Sequence, residues 1–285
     1  MLRRSALLLL FPLLCAPLQA APADTQLQAY ARGLRNPDGG YRAGGPQGPS
    51  TLSATLACVR TMKYSGGSLD GVDATAAFVR KCQDATGGYA DTPGGQVEVR
   101  LTALGLMAEA DLNVRKGQQT ELARDYLDGH AMSLPDIYMA AAAADSAKIF
   151  TTKKRSWIEA FEGTRKGEGV YGSGPYETAG AVISILRLGG TVADREAAGK
   201  AIRGAQRQDG GFAAADASDL GTTYRMMRAL RMLEVKPDLE RLRAFVKSCR
   251  NADGGYGPSP GKPSGAGPSY YASIVLHWAE ELAGR

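Results

Sequence analysis

The chain has 285 residues and a formal net charge of +5, of which Arg3 and Arg4 supply two. Its remaining basic residues are scattered, so the sequence carries no stripe of charge that would follow nucleic acid. Two histidines are too few for a histidine-built metal site. Past Cys15, the odd count of Cys58, Cys82 and Cys249 argues against a disulfide framework.

The first segment reads as a secretory signal peptide. Arg3 and Arg4 form a basic start, Ser5 to Leu14 an apolar stretch broken only by Pro12, and small residues follow at Ala20 and Ala21. Residues 1–20 are therefore expected to be cleaved and the chain exported, periplasmic or secreted. Leu14 stands before Cys15 where a lipid-attachment box wants a small residue. No apolar run is long enough for an integral membrane span.

From residue 21 to 285 the chain repeats. Four copies read AYARGLRNPDGGY, AFVRKCQDATGGY, KAIRGAQRQDGGF and AFVKSCRNADGGY, and a degenerate copy is RKGEGVYG. Their aromatic residues, Tyr41, Tyr89, Tyr171, Phe212 and Tyr256, follow at intervals of 48, 82, 41 and 44. The long interval spans two units, with the lost turn expected near Asp128 to Met132.

Helices are expected, in chain order, near 25–34, 50–63, 70–83, 97–110, 118–127, 134–148, 151–163, 175–189, 192–206, 219–234, 238–249 and 268–282. Every second one, from 50–63 onward, is rich in Ala, Leu and Met on most faces and reads as buried on more than one side. The others are amphipathic; Leu239, Leu242, Phe245 and Val246 mark one face of the last of them. The first helix lacks a partner before it and the last lacks one after it. Pairing the two closes a ring of six hairpins, whereas an open solenoid would need polar caps. Cys82 and Cys249 occupy equivalent places in different repeats, too far apart to bridge. The Gly-Gly-aromatic turn reads as structural, its glycines permitting positive φ.

These residues resemble the prenyltransferase and squalene-cyclase repeat superfamily, most of all the β-subunits of protein prenyltransferases. The resemblance rests on the turns QDGGF and NADGGY, on Gly94 to Arg100 (GGQVEVR) and on Pro260-Gly261-Lys262 after the last turn. It implies an all-α fold, an α/α toroid whose inner helices surround an apolar cavity. It also implies zinc, held by Asp-x-Cys in the penultimate inner helix and His in the last. Here Asp219 matches, but Gly221 stands for the cysteine and Tyr271 for the histidine; His277 lies six residues further on. A lone carboxylate does not hold zinc, so no cofactor is expected and zinc-dependent protein prenylation is not implied. The Asp-x-Asp-Asp of terpene cyclisation and the Gly-Cys-Gly-Glu-Gln of thioester domains are absent.

All inner-helix N-termini would open on one mouth, where unpaired N–H groups and helix dipoles favour anions. Candidate ligand contacts there are Glu98, Arg100, Tyr176, Asp219, Tyr224, Arg225, Tyr271 and, in the loop above, Lys262. Asp219 can equally be an N-cap, Arg225 its partner, and Tyr270 and Tyr271 plugs of the mouth. Three functions compete. One is an exported prenyltransferase-like protein binding or acting on an isoprenoid-type or other amphipathic ligand. Another is a non-catalytic module for an exported protein or a glycan. The third is a carbohydrate-active toroid, which would need two of Glu98, Glu177 and Asp219 to face each other.

Overall fold

The computed structural model describes residues 23–114, 117–167 and 169–284. The expected signal peptide lies outside them. Among the described residues there are twelve helices and no strand beyond isolated bridges. The outer helices are α1 (Thr25–Gly33), α3 (Val72–Lys81), α5 (Gly117–His130), α7 (Lys154–Glu162), α9 (Arg195–Gly204) and α11 (Leu239–Ser248). The inner ones are α2 (Leu52–Tyr64), α4 (Val99–Asp111), α6 (Leu134–Ala147), α8 (Pro175–Arg187), α10 (Leu220–Leu233) and α12 (Ala266–Ala283). Each inner helix packs on the next in that order, and α12 packs back on α2. The fold is an all-α, α/α toroid, and the ring is closed.

Composition separates the two layers. Inner α8 buries Thr178 to Ile185 without a break, while outer α7 buries only Trp157 and Phe161. A helix apolar all round needs neighbours on every side, and the inner layer supplies them. Capping sets where inner helices begin: Ser133 and Asp136 form a reciprocal capping box on α6, and Asp219 accepts from the Thr222 amide on α10.

The Gly-Gly-aromatic turns bind neighbouring hairpins. Each aromatic is buried, and its amide donates to a hydroxyl one turn into the following inner helix. Tyr41 uses Thr55, Tyr89 uses Thr102, Tyr171 uses Thr178, Phe212 uses Thr223 and Tyr256 uses Ser269, each at 2.9–3.0 Å. The first glycine lies against the backbone of the next outer helix. At Gly210, φ is +91° and a Cβ would sit 2.0 Å from the Arg241 carbonyl oxygen of α11. At Gly254 the neighbour is Gln26 of α1, so the outer layer closes as the inner one does. A bidentate pair from Arg250 to Asp24 reinforces that seam.

At the lost turn α5 runs on to His130, and three residues lead into α6. In place of the turn, Asp128 accepts from the Thr151 hydroxyl at 2.6 Å and from the Thr152 amide and hydroxyl. One carboxylate thus fastens α5 to the start of α7. Cys58, Cys82 and Cys249 are free and buried.

Candidate ligand site

The inner helices enclose a cavity of about 480 Å³, within the range of about 300–1,000 Å³ common for small-molecule sites. Its mouth lies at their N-terminal ends, beside Thr51, Asp91, Arg100, Ala266 and Gly267. Below the mouth the wall is apolar: Ala54 and Ala57 of α2, Leu104 and Met107 of α4, and Met139 and Ala142 of α6. Of the alanine run in α6, Ala142 borders this space. Arg60 is nine residues beyond Thr51 along α2, which places it roughly 14 Å deeper at a helical rise of about 1.5 Å.

Four arginines face the ring interior: Arg60, Arg187, Arg225 and Arg228. Arg225 lies between two rings, its guanidinium carbon 4.1 Å from the centroid of Tyr176 and 4.7 Å from that of Tyr138. Arg228 covers Trp278 at 4.6 Å and Tyr224 at 5.1 Å. It also donates to the Tyr224 hydroxyl at 2.9 Å, and that hydroxyl meets the Tyr270 hydroxyl at 3.3 Å. Arg60 donates to Asp111 at 2.7 Å, and Arg187 stands 3.8 Å from Asp145. Arg187, Arg225 and Arg228 each retain a buried Nε without a hydrogen-bond partner. Among the described residues no carboxylate pairs with Arg225 or Arg228.

This crowding moves the titration of its members. Burial alone would raise the Tyr224 phenol, but Arg228, Arg187 and Arg60 together draw it down to about 8. Burial and then Arg228 hold Arg187 below the usual guanidinium range. Burial, followed by Tyr224, raises Tyr271 to about 12 and pushes Tyr270 and Tyr138 up as well.

Of the expected contacts, Arg100, Tyr176, Tyr224, Arg225 and Tyr271 line the cavity. Glu98 does not: its side chain is exposed and makes no capping bond. Lys262 is exposed in its loop, where its carbonyl accepts from Asn251. Asp219 caps α10, with both oxygens engaged by Thr222. Arg225 does not pair with it, because the aromatic sandwich holds the guanidinium elsewhere. Tyr270 and Tyr271 line the cavity without filling it.

The mouth is also less open to anions than bare helix ends would be. Neighbouring loops occupy several first-turn amides: Leu52 donates to the Asp91 carbonyl, Leu220 to that of Pro258 and Ala266 to that of Ala43. The unsatisfied donors sit deeper, on arginine side chains. Arg60, Arg187, Arg228, Tyr138, Tyr270 and Trp278 complete this constellation, although the scattered basic residues of the sequence do not single out the arginines. The available signal was a basic residue inside an otherwise apolar inner helix, as Arg60 is in LACVRTMK.

Asp219, Gly221 and Tyr271 do come together. A Cβ on Gly221 would lie 3.1 Å from Asp219 Oδ1 and 3.8 Å from the Tyr271 ring. Their chemistry does not fit zinc: one carboxylate is committed to a cap, one position has no side chain, and the third offers a phenol whose proton burial retains. His277 is paired with Glu281 and packs on Tyr64. Among the described residues Asp91 is the one carboxylate along the cavity wall, bound to Ser53, so they present no facing pair for glycoside hydrolysis there.

The sequence matches the prenyltransferase alpha-alpha toroid domain over residues 11–132 and 116–283. The chain belongs to that family. Among solved structures it is similar to protein geranylgeranyltransferase-I of Candida albicans complexed with GGPP, at 13% identity, TM-score 0.65, and 80% and 83% of the two chains covered. It is also similar to a variant of the type II terpene cyclase MstE from Scytonema in complex with geranylgeranyl dihydroxybenzoate, at 15%, 0.63, and 91% and 96%. A protein from Actinoplanes is similar at 15%, 0.61, and 92% and 99%. At these identities the likeness is one of fold. Among curated proteins no sequence matches this chain. No described helix is long and apolar enough to cross a membrane.

Proposed function

We propose that this is an exported toroid that binds, or acts on, an amphipathic ligand of isoprenoid type within its ring, without zinc-dependent protein prenylation. The observation that carries this reading is the cavity itself: an apolar wall continuous with Arg60, Arg187 and Arg225, of which Arg187 and Arg225 keep a buried Nε without a hydrogen bond and Arg225 has no carboxylate partner among the described residues. An oily ligand with an anionic group satisfies both parts at once. The geranylgeranyltransferase and the terpene cyclase are each in complex with an isoprenoid compound in the same fold, which supports the ligand class. Carbocation cyclisation suits this interior poorly, because guanidinium groups already cover the faces of Tyr138, Tyr176, Tyr224 and Trp278.

The test is native mass spectrometry with metal analysis of the protein purified from an exporting host and incubated with lipid extract. The expected result is a chain lacking residues 1–20, carrying a small lipid and no stoichiometric zinc. A ligand-free ring, or one zinc per chain, overturns the reading. The alternative of a protein-binding module draws on Phe150, which is 75% exposed beside Thr152, Arg155 and Ile158.

A further inference from the structure

Charge is distributed unevenly along the depth of the ring. At the mouth it is matched: Arg100 and Asp91 share Ser53 as a hydrogen-bond partner. At the floor it is not. Arg60 and Arg187 line the cavity there, Arg228 stands outside the lining against Tyr224 and Trp278, and the three come from three inner helices, with the charges of Arg60 and Arg187 both bearing on Arg228. Among the described residues two carboxylates reach this layer. Asp111 is shared between Arg60 and Lys63, and Asp145 between Arg187 and Lys148. Both lysines are exposed, so within the layer three guanidinium groups meet two carboxylates already shared with the surface, and Arg228 has only the Tyr224 hydroxyl.

Like charges gathered in a low-dielectric interior repel one another, and a negative group placed among them is held strongly. The buried Nε atoms of Arg187 and Arg228 make no hydrogen bond, the former lying 3.8 Å from Asp145. Guanidinium groups suit oxyanions because their donors match two oxygens at once. The apolar wall lies between this floor and the mouth.

We propose that the floor is a subsite for a terminal oxyanion, carboxylate or phosphate, and that the ligand enters head first, leaving its chain against the alanine and methionine wall. This rests on the amphipathic-ligand reading above and adds an orientation to it.

The experiment uses the mature chain with Trp157→Phe, which leaves Trp278, against Arg228, as the reporter of two tryptophans. Its emission is titrated with dodecyl phosphate, dodecanoate and dodecanol, all below their micelle concentrations. The anions are expected to bind roughly 10- to 100-fold tighter than the alcohol, as charged hydrogen bonds would give. Arg187→Met and Arg228→Met should each reduce the anions towards the alcohol's affinity. Arg100→Ala, at the mouth, should change anion and alcohol affinity alike. Arg187→Lys and Arg228→Lys keep the charge and should retain part of the preference, which covers the case where a methionine variant does not fold. Anion preference that survives both methionine variants, or that disappears with Arg100→Ala, overturns the head-first subsite. Alcohol binding without any anion preference does the same while leaving the amphipathic-ligand reading intact. Failure of all three probes overturns both. The ratio of phosphate to carboxylate affinity identifies the head group.

Discussion

An arginine on the inward face of a buried helix is costly unless its donors are used. Four such residues meet here, and the phenol of Tyr224 lies among three of them. Its titration is directly observable. In the ligand-free protein one tyrosine should ionise near pH 8 by ultraviolet difference absorbance, and Tyr224→Phe should remove that step. Arg228→Met should move it upward, because the nearest positive charge is lost. The folded state holds this proton less tightly than the unfolded chain, whose phenol titrates near the ordinary value of 10.0. The phenolate therefore adds stability in full above about pH 10, progressively less down to about pH 8, and none below. The groups around it are Arg60, Arg187, Arg228, Tyr138, Tyr270 and Tyr271. Tyr224 and Arg225 stood out in the sequence because they follow Asp219 closely. Arg60 and Arg187 did not, since only the closed ring shows that residues 60 and 187 share one floor. Glu98 and Lys262 were drawn in by their position in the repeat, and the structure turns both to solvent.

Hairpins join through a turn whose parts were largely visible in the sequence. The glycine pair and the aromatic recur at near-regular spacing, and helix periodicity filled the intervals to within a few residues. The hydroxyl that receives the aromatic's amide was not visible, because it lies in the next helix and looks like an ordinary Thr or Ser. Thr223→Val should leave the buried Phe212 amide unpaired and cost about 1–3 kcal/mol, measured by urea unfolding. Gly210→Ala should cost about 2 kcal/mol or more, since it adds a Cβ at positive φ against the α11 backbone. Asp128→Ala should loosen α5 from α7, where one carboxylate replaces a whole turn. The expected signature is faster hydrogen exchange in α7, with less change across the ring at α11. Nothing in LDGHAM foretold that substitute; the aspartate's partners lie more than twenty residues further along.

As a whole the molecule is defined by closure. The sequence announced it through complementary ends, an outer-type helix at the start and an inner-type helix at the finish. The structure makes it physical through α12 on α2, Gly254 on Gln26 and Arg250 on Asp24. Removing residues 23–34 should take away a neighbour of α2, strip the backbone that covers Gly254 and leave Arg250 unpaired. Its thermal transition by circular dichroism should fall and broaden. Asp24→Ala alone should shift it little, because that pair is partly exposed. Closure also sets an order of events during folding. Helices α2 to α11 can assemble with neighbours already made, each adding a local contact. The seam cannot: Asp24 and Arg250 are 226 residues apart, and α1 has no lateral outer neighbour on that side until the last hairpin exists. Its formation carries the largest loop-closure entropy in the chain, and rates fall as such distant contacts dominate. The final locking of the ring should therefore be the slow phase of refolding, and a chain interrupted before α12 should wait as an open horseshoe, its cavity facing solvent along one side.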